Sequence, residues 1–166
     1  PPVSTTTVST TTAATTIGTT TIAVQSIPLL IGGTVHAGEA VPISYLQMTN
    51  IGAEGAILTG FWVRQTGTAS VASIIGLSTV DDNGGSRGLA GGIEGAAPFQ
   101  NGSAFAPTYS YFAPGQMRLF TIKAIMSSAL SAYTGTQLTL EVSSIETSAA
   151  VRGQFPIRGT TWIIAQ

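Results

Sequence analysis

Apolar and polar positions alternate along much of this chain, in short runs closed by turn residues. In MRLFTIKAIM, Phe120, Ile122, Ala124 and Met126 share one face, and Thr121 and Lys123 point the other way. In TQLTLEV, Leu138, Leu140 and Val142 alternate with Gln137, Thr139 and Glu141. A period of two is the mark of a strand with one buried face. TIAVQSIPLLI, AVPISYLQMTN, GAILTGFWVRQTG, SVASIIGLSTV and GTTWIIAQ read as further strands, rich in β-branched and aromatic residues. Pro42 stands near the start of its run, where a missing N–H donor is tolerated. DDNGG and the Pro-Gly of FAPGQM are turn signals. Helical periodicity is weak throughout.

These runs give seven or eight strands, with turns between them. The expected fold is all-β: an antiparallel, Ig-like or jelly-roll-like sandwich over residues 19–166. Residues 84–107 form a Gly/Ala-rich excursion without clear periodicity, expected as a loop or irregular edge hairpin.

Two strands lack a polar face. In ILTGFWVR, alternation puts Ile57, Phe61 and Val63 on one side and Leu58 and Trp62 on the other. In TWIIA, Trp162 and Ile164 oppose Ile163. A strand apolar on both faces needs cover on both. Either the Gly-rich excursion folds over the outer face or a neighbouring subunit covers it. Trp62 and Trp162 are therefore candidate subunit-interface residues.

Composition sharpens that picture. Only 8% of the 166 residues are charged, and the net charge is -1, yet 43% are hydrophobic. Globular domains usually carry about 25% charge, and a surface so poor in charge favours association or needs glycans. No basic patch invites nucleic acid. The most apolar window is too short, and too broken by Gln25, Ser26 and Pro28, to span a membrane. Cysteine is absent, which excludes disulfides and thiol chemistry. The chain begins at Pro1 rather than methionine, as expected of a chain after leader removal or of a fragment.

Residues 1–18 are a different kind of segment. The stretch STTTVSTTTAATTIGTTT is eleven-eighteenths threonine and carries no charge. It is too poor in large apolar residues to order alone. It reads as an extended arm that adds a strand to the exposed sheet edge of another copy, through main-chain hydrogen bonds and side-chain pockets. Val3, Val8, Ala13, Ile17 and Ile22 are its candidate contact residues. They recur every four or five positions rather than every two, and Gly18 allows a bend. A Thr-rich glycosylated stalk is one rival reading, although such stalks are usually richer in proline; the other is that the tail folds back as the first strand of its own sandwich, which is the expectation for residues 19–31.

Candidate chemistry is sparse. His36 is the one histidine and has no second His or Cys with which to build a metal site or a nucleophile pair. GGSRGLAGG lacks the Lys-Ser/Thr of a phosphate loop. DDNGG does not meet EF-hand spacing and reads as a turn. No catalytic, cofactor or metal residues are assigned, and the chain is not expected to be an enzyme. Asn101 heads an Asn-Gly-Ser sequon and is the candidate glycosylation site.

TVHAGEAVPISYLQMTNIGAEGAILTGFWVRQTGTA resembles the first half of bacterial or archaeal surface immunoglobulin-like domains. The shared pattern is Gly, apolar strand, Thr-Asn-x-Gly, apolar strand. FAPGQMRLFTIKAIM and GTQLTLEVSSI are similar to the later strands of such domains. The resemblance spans roughly residues 33–80 and 112–165 and lacks the antibody cysteine pair. It implies adhesins, surface-layer proteins or filament subunits. Among these, the composition is most similar to extracellular pilus-like filaments whose N-terminal strand completes a neighbour's sandwich. Some surface domains of this kind form Lys–Asn isopeptide bonds, but alternation turns Lys123 outward and argues against one here. The expected function is a structural subunit of an extracellular filament, a homopolymer joined head-to-tail. The alternative is a monomeric adhesion or cell-envelope module.

Overall fold

The computed structural model describes residues 20–28, 32–84, 86–91 and 98–166, with backbone alone for 86–91. Val3, Val8, Ala13 and Ile17 lie outside the described residues. The described part is all-β, with eleven strands in two sheets. They are β1 (Thr21–Ile27), β2 (Thr34–Val35), β3 (Ala40–Asn50), β4 (Ala56–Gln65), β5 (Ile74–Asp81) and β6 (Ser86–Gly91). The rest are β7 (Ser103–Phe112), β8 (Met117–Met126), β9 (Gln137–Thr147), β10 (Ala150–Arg152) and β11 (Ile157–Ile164). One sheet runs β10-β1-β3-β8-β5-β6, and the other β2-β11-β9-β4-β7.

The strand order is that of an immunoglobulin-type sandwich. β1-β3-β8-β5 takes the A-B-E-D order, and β4-β9-β11 takes C-F-G. The first strand is divided between the sheets, β1 in one and β2 in the other. Each half meets a strand running in its own direction: β1 pairs parallel with β10, and β2 parallel with β11. The sheets are therefore mixed, where alternation alone suggested a purely antiparallel pattern. The strand count also exceeds the expected seven or eight, because β2 and β10 are too short to leave a periodic signal and β6 and β7 arise within or beside the Gly/Ala-rich excursion.

The core lies between the sheets. Phe120 of β8 packs against Phe61 of β4 at 5.7 Å between ring centroids, and against Phe112 of β7 at 6.0 Å. Ile122, Ala124 and Met126 follow Phe120 inward, and Leu138, Leu140 and Val142 face them, as their alternation requires. Thr139 and Glu141, expected outward, are on the other face of β9 yet buried there by neighbouring side chains. Asn50, fully buried, is satisfied at the β3–β4 turn: its Nδ2 donates to the carbonyls of Glu54 (2.7 Å) and Phe112 (3.2 Å), and its Oδ1 accepts from Gly52 N–H.

Bulges change which residues face in. In β4 the register shifts between Leu58 and Gly60 against both neighbours. One extra residue reverses the alternation. Ala56 and Leu58 therefore point inward with Phe61 and Val63, and Ile57 joins Trp62 outside. This corrects the grouping of Ile57 with Phe61 and of Leu58 with Trp62. β3 does the same between Pro42 and Ser44, so Ile43 and Ser44 are both buried.

The stretch 84–107, expected as a loop or edge hairpin, contains edge strand β6 and the first half of β7. β7 inverts the usual pattern. Its inward residues are mostly small (Ala104, Ala106, Thr108, Ser110), and its outward ones are Phe105, Pro107, Tyr109 and Tyr111. Pro107 is tolerated because β7 is the outermost strand of its sheet.

Candidate interaction surface

The outer face of the β4–β7 pair carries a strip of rings. Trp62 sits opposite Phe105, and Ile57 opposite Tyr111. The Trp62 and Phe105 rings are 5.1 Å apart and inclined by 50°. Glycines seat the rings. Phe105 lies over Gly60, where an added Cβ would also come within 2.7 Å of the Ala106 carbonyl oxygen. Tyr111 lies over Gly55, whose missing Cβ would stand 2.6 Å from the ring. Tyr109 and Tyr111 are each 57% exposed, and Trp62 41%. The nearby charge is neutralised: Arg64 Nε donates to Glu141 Oε1 at 2.8 Å, and Nη2 donates to the same oxygen.

A second feature is the cleft where the first strand changes sheets. β10 pairs with only Thr21–Ala23 of β1, and β2 with only Ile163 and Ile164 of β11. Between the remaining edges are two adjoining cavities of about 1000 and 470 Å³ that share Ser26 and Arg158. Arg152 and Arg158 line the larger one with Gln25 and Gln154. Both arginines are exposed, and neither has an ion-pair partner among the described residues.

The expected interface residues separate on this geometry. Trp62 is outward and part of the ring strip. Trp162 is satisfied within the chain: it packs against the core, and its Nε1 donates to the Pro42 carbonyl at 3.0 Å. Ile22 is fully buried in the chain's own core on β1, so it is no contact for a neighbour. Tyr109 and Tyr111 were not singled out in the sequence. The signal was there, an outward ring at every second position from Tyr109, but it was masked by the small residues between.

Asn101 is exposed at the tip of a two-residue hairpin. Asn101 and Gly102 have φ of 52° and 77°, and Gln100 and Ser103 exchange both backbone hydrogen bonds. Positive φ at both positions is the type I′ pattern that Asn-Gly favours. His36 is also exposed, with Nδ1 2.6 Å from the Gln166 backbone oxygen. The described part of DDNGG, residues 81–84, is a turn, in which Asp81 accepts from Asn83 N–H and pairs with Arg118 at 3.4 Å. Among the described residues no group of three or more His, Asp or Glu could hold a metal, and no helix is long and apolar enough to cross a membrane.

No family model matches this chain, and no curated protein does. Among solved structures, it is similar to AvmM, which catalyses macrocyclization in alchivemycin A biosynthesis, at TM-score 0.40 and 8% identity over 87% of this chain and 89% of that one. It is also similar to the ASH/PapD-like domain 7 of human CEP192, at TM-score 0.36 and 11% identity over 100% and 99%. The sporulation control protein Spo0M of Bacillus subtilis matches at TM-score 0.33 and 12% identity, over 90% of this chain and 51% of that one.

Proposed function

We propose that this protein is a structural subunit of an extracellular filament, a homopolymer in which residues 1–18 of one copy add a strand to the sandwich of the next. The observation that carries the reading is a contrast within one chain. From β1 onward the described residues close their own core, with Ile22, Leu46, Phe61 and Phe120 almost wholly removed from solvent. The uncharged, Thr-rich arm is not needed for that closure. It would therefore extend a neighbour's sheet rather than complete an unfinished one.

Length supports the reading. Eighteen extended residues reach about 60 Å, and a domain of this size is about 40 Å across. Thr20, the first described residue, is tied to the sandwich, its carbonyl accepting from Ala150 N–H at 3.0 Å. A head-to-tail contact that does not close gives an open filament. The charge-poor surface fits burial in such a polymer, with glycans on Asn101 or on exposed hydroxyls as a further shield.

The closed core also favours a second reading, a monomeric adhesion or cell-envelope module. Sedimentation separates the two. Full-length protein is expected to form long polymers, and a variant lacking residues 1–18 to sediment as a folded monomer. Polymers of unchanged length from the truncated chain would overturn the filament reading, and a full-length chain that stays monomeric would favour the module.

A further inference from the structure

We propose that the larger cavity between β1 and β11 is a binding site for an acidic saccharide, a short sugar chain that carries carboxylates. Such a site is independent of the filament reading, since it would serve a polymer or a monomeric module alike.

The fold opens this cavity where its first strand changes sheets. β10 runs beside β1 only as far as Ala23, and the chain then passes through Gly153 and Pro156 to enter β11. That connection lies close to β1, because a Cβ on Gly153 would stand 3.1 Å from the Val24 carbonyl oxygen. Ser26 follows Ile22 and Val24 at every second position of β1, yet it is exposed where they are buried. The inward face of β1 thus meets solvent at Ser26, in the cavity of about 1000 Å³.

Its charge is one-sided. Arg152 closes β10, Arg158 is the second residue of β11, and both line the cavity. No carboxylate lines it or the smaller cavity beside it. Glu141, which stands opposite Arg158 in register, gives its carboxylate to Arg64. Arg118 is likewise paired, with Asp81, whereas Arg152 and Arg158 have no ion-pair partner among the described residues. Two unpaired cations at one concave place favour an anion.

The rest of the lining selects the class of anion. A guanidinium meets a carboxylate or a phosphate through two parallel N–H donors. Gln25, Gln154 and Ser26 add carboxamides and a hydroxyl that make no side-chain hydrogen bond among the described residues. These groups both donate and accept, which suits sugar hydroxyls. Val24, Pro156 and Ile157 supply apolar surface for the C–H face of a sugar ring. A bare phosphate would leave all of these unused. The volume stands at the upper end of the usual range for small-ligand sites, with room for a short chain of rings. No aromatic side chain lines the cavity, so the stacking that nucleic-acid bases use is missing.

Equilibrium dialysis of the full-length protein against trigalacturonate tests the site, with the same readout for monomer and polymer. Trigalacturonate is expected to bind, and Arg152→Gln and Arg158→Gln should each weaken it at least tenfold. Gln154→Glu, which brings a carboxylate into the cavity and leaves both arginines in place, should do the same. The methyl ester keeps the rings and hydroxyls without the charge and should bind at least tenfold more weakly, as should inorganic phosphate. Lys123→Gln, on the outer face of β8, should change nothing, and circular dichroism should be the same for every variant. No binding at millimolar ligand, binding indifferent to the three cavity substitutions, or an ester that binds as well as the acid would overturn the site. Phosphate that binds as tightly as trigalacturonate would overturn the saccharide assignment.

Discussion

The Phe105 ring rests on the backbone of Gly60, where β4 bulges between its two neighbours. A side chain at residue 60 would meet that ring and also the Ala106 carbonyl oxygen, 2.7 Å from an added Cβ. The ring can swing, but the backbone oxygen cannot. Gly60→Ala is therefore expected to destabilise the sandwich by about 1–3 kcal/mol, the usual cost of overpacking. Thermal unfolding should move down by about 3–10 °C. An unchanged midpoint would mean that the β4–β7 pair is looser than this contact indicates.

The two tryptophans are expected to behave differently. Trp162 donates to the Pro42 carbonyl and packs against the core, so Trp162→Phe loses a hydrogen bond and leaves an acceptor unpaired. The expected loss is about 1–2 kcal/mol in denaturant unfolding. Trp62 is outward, and Trp62→Ser should cost the isolated chain less than about 1 kcal/mol while weakening assembly. Iodide should quench Trp62 in the monomer and lose access to it on polymerisation. Equal quenching in both states would remove Trp62 from the interface.

The strands that were plain in the sequence are those whose large residues point inward. Phe120 to Met126 and Leu138 to Val142 alternate cleanly, because burial of one face is what produces a period of two. Ile57 and Leu58 were assigned to the wrong faces because a bulge carries no sequence signature of its own; only Gly60, inside an otherwise apolar run, marks the place. β7 was hidden for a different reason. Phe61 and Phe120 fill the core beside it, so its inward positions are mostly small and its rings face out. An inverted strand looks like loop composition. The candidate surface was half legible for the same reason: Trp62 stood out as an apolar residue on an outward face, and its neighbours Tyr109 and Tyr111 did not.

Asn101 is open to modification on geometric grounds, being exposed at a hairpin tip. Protein from its native source is expected to exceed the bare sequence mass of 16.9 kDa by glycan increments. Asn101→Gln should remove the N-linked part. Intact mass equal to the bare sequence would exclude glycans, and the low-charge surface would then be protected by assembly alone. Because positive φ suits Asn and Gly, Asn101→Gly is the milder control for the turn itself.

Substitution within the arm separates assembly from folding most directly. The core closes without residues 1–18, so a change at Val8 or Ile17 should leave the unfolding midpoint within about 0.5 kcal/mol of the parent, as for a surface position. Assembly should respond strongly. If either side chain is covered by a neighbour, Val8→Asp or Ile17→Asp places a carboxylate against an uncharged surface with no cation to pair it, and an unpaired buried charge is costly. Polymers should be shorter by at least tenfold at the same concentration, and Val8→Thr should restore much of their length, because threonine keeps the branched shape without charge. A loss of thermal stability in Val8→Asp monomers would show that the arm packs on its own sandwich. Polymers of full length from both aspartate variants would show that neither side chain is buried on assembly.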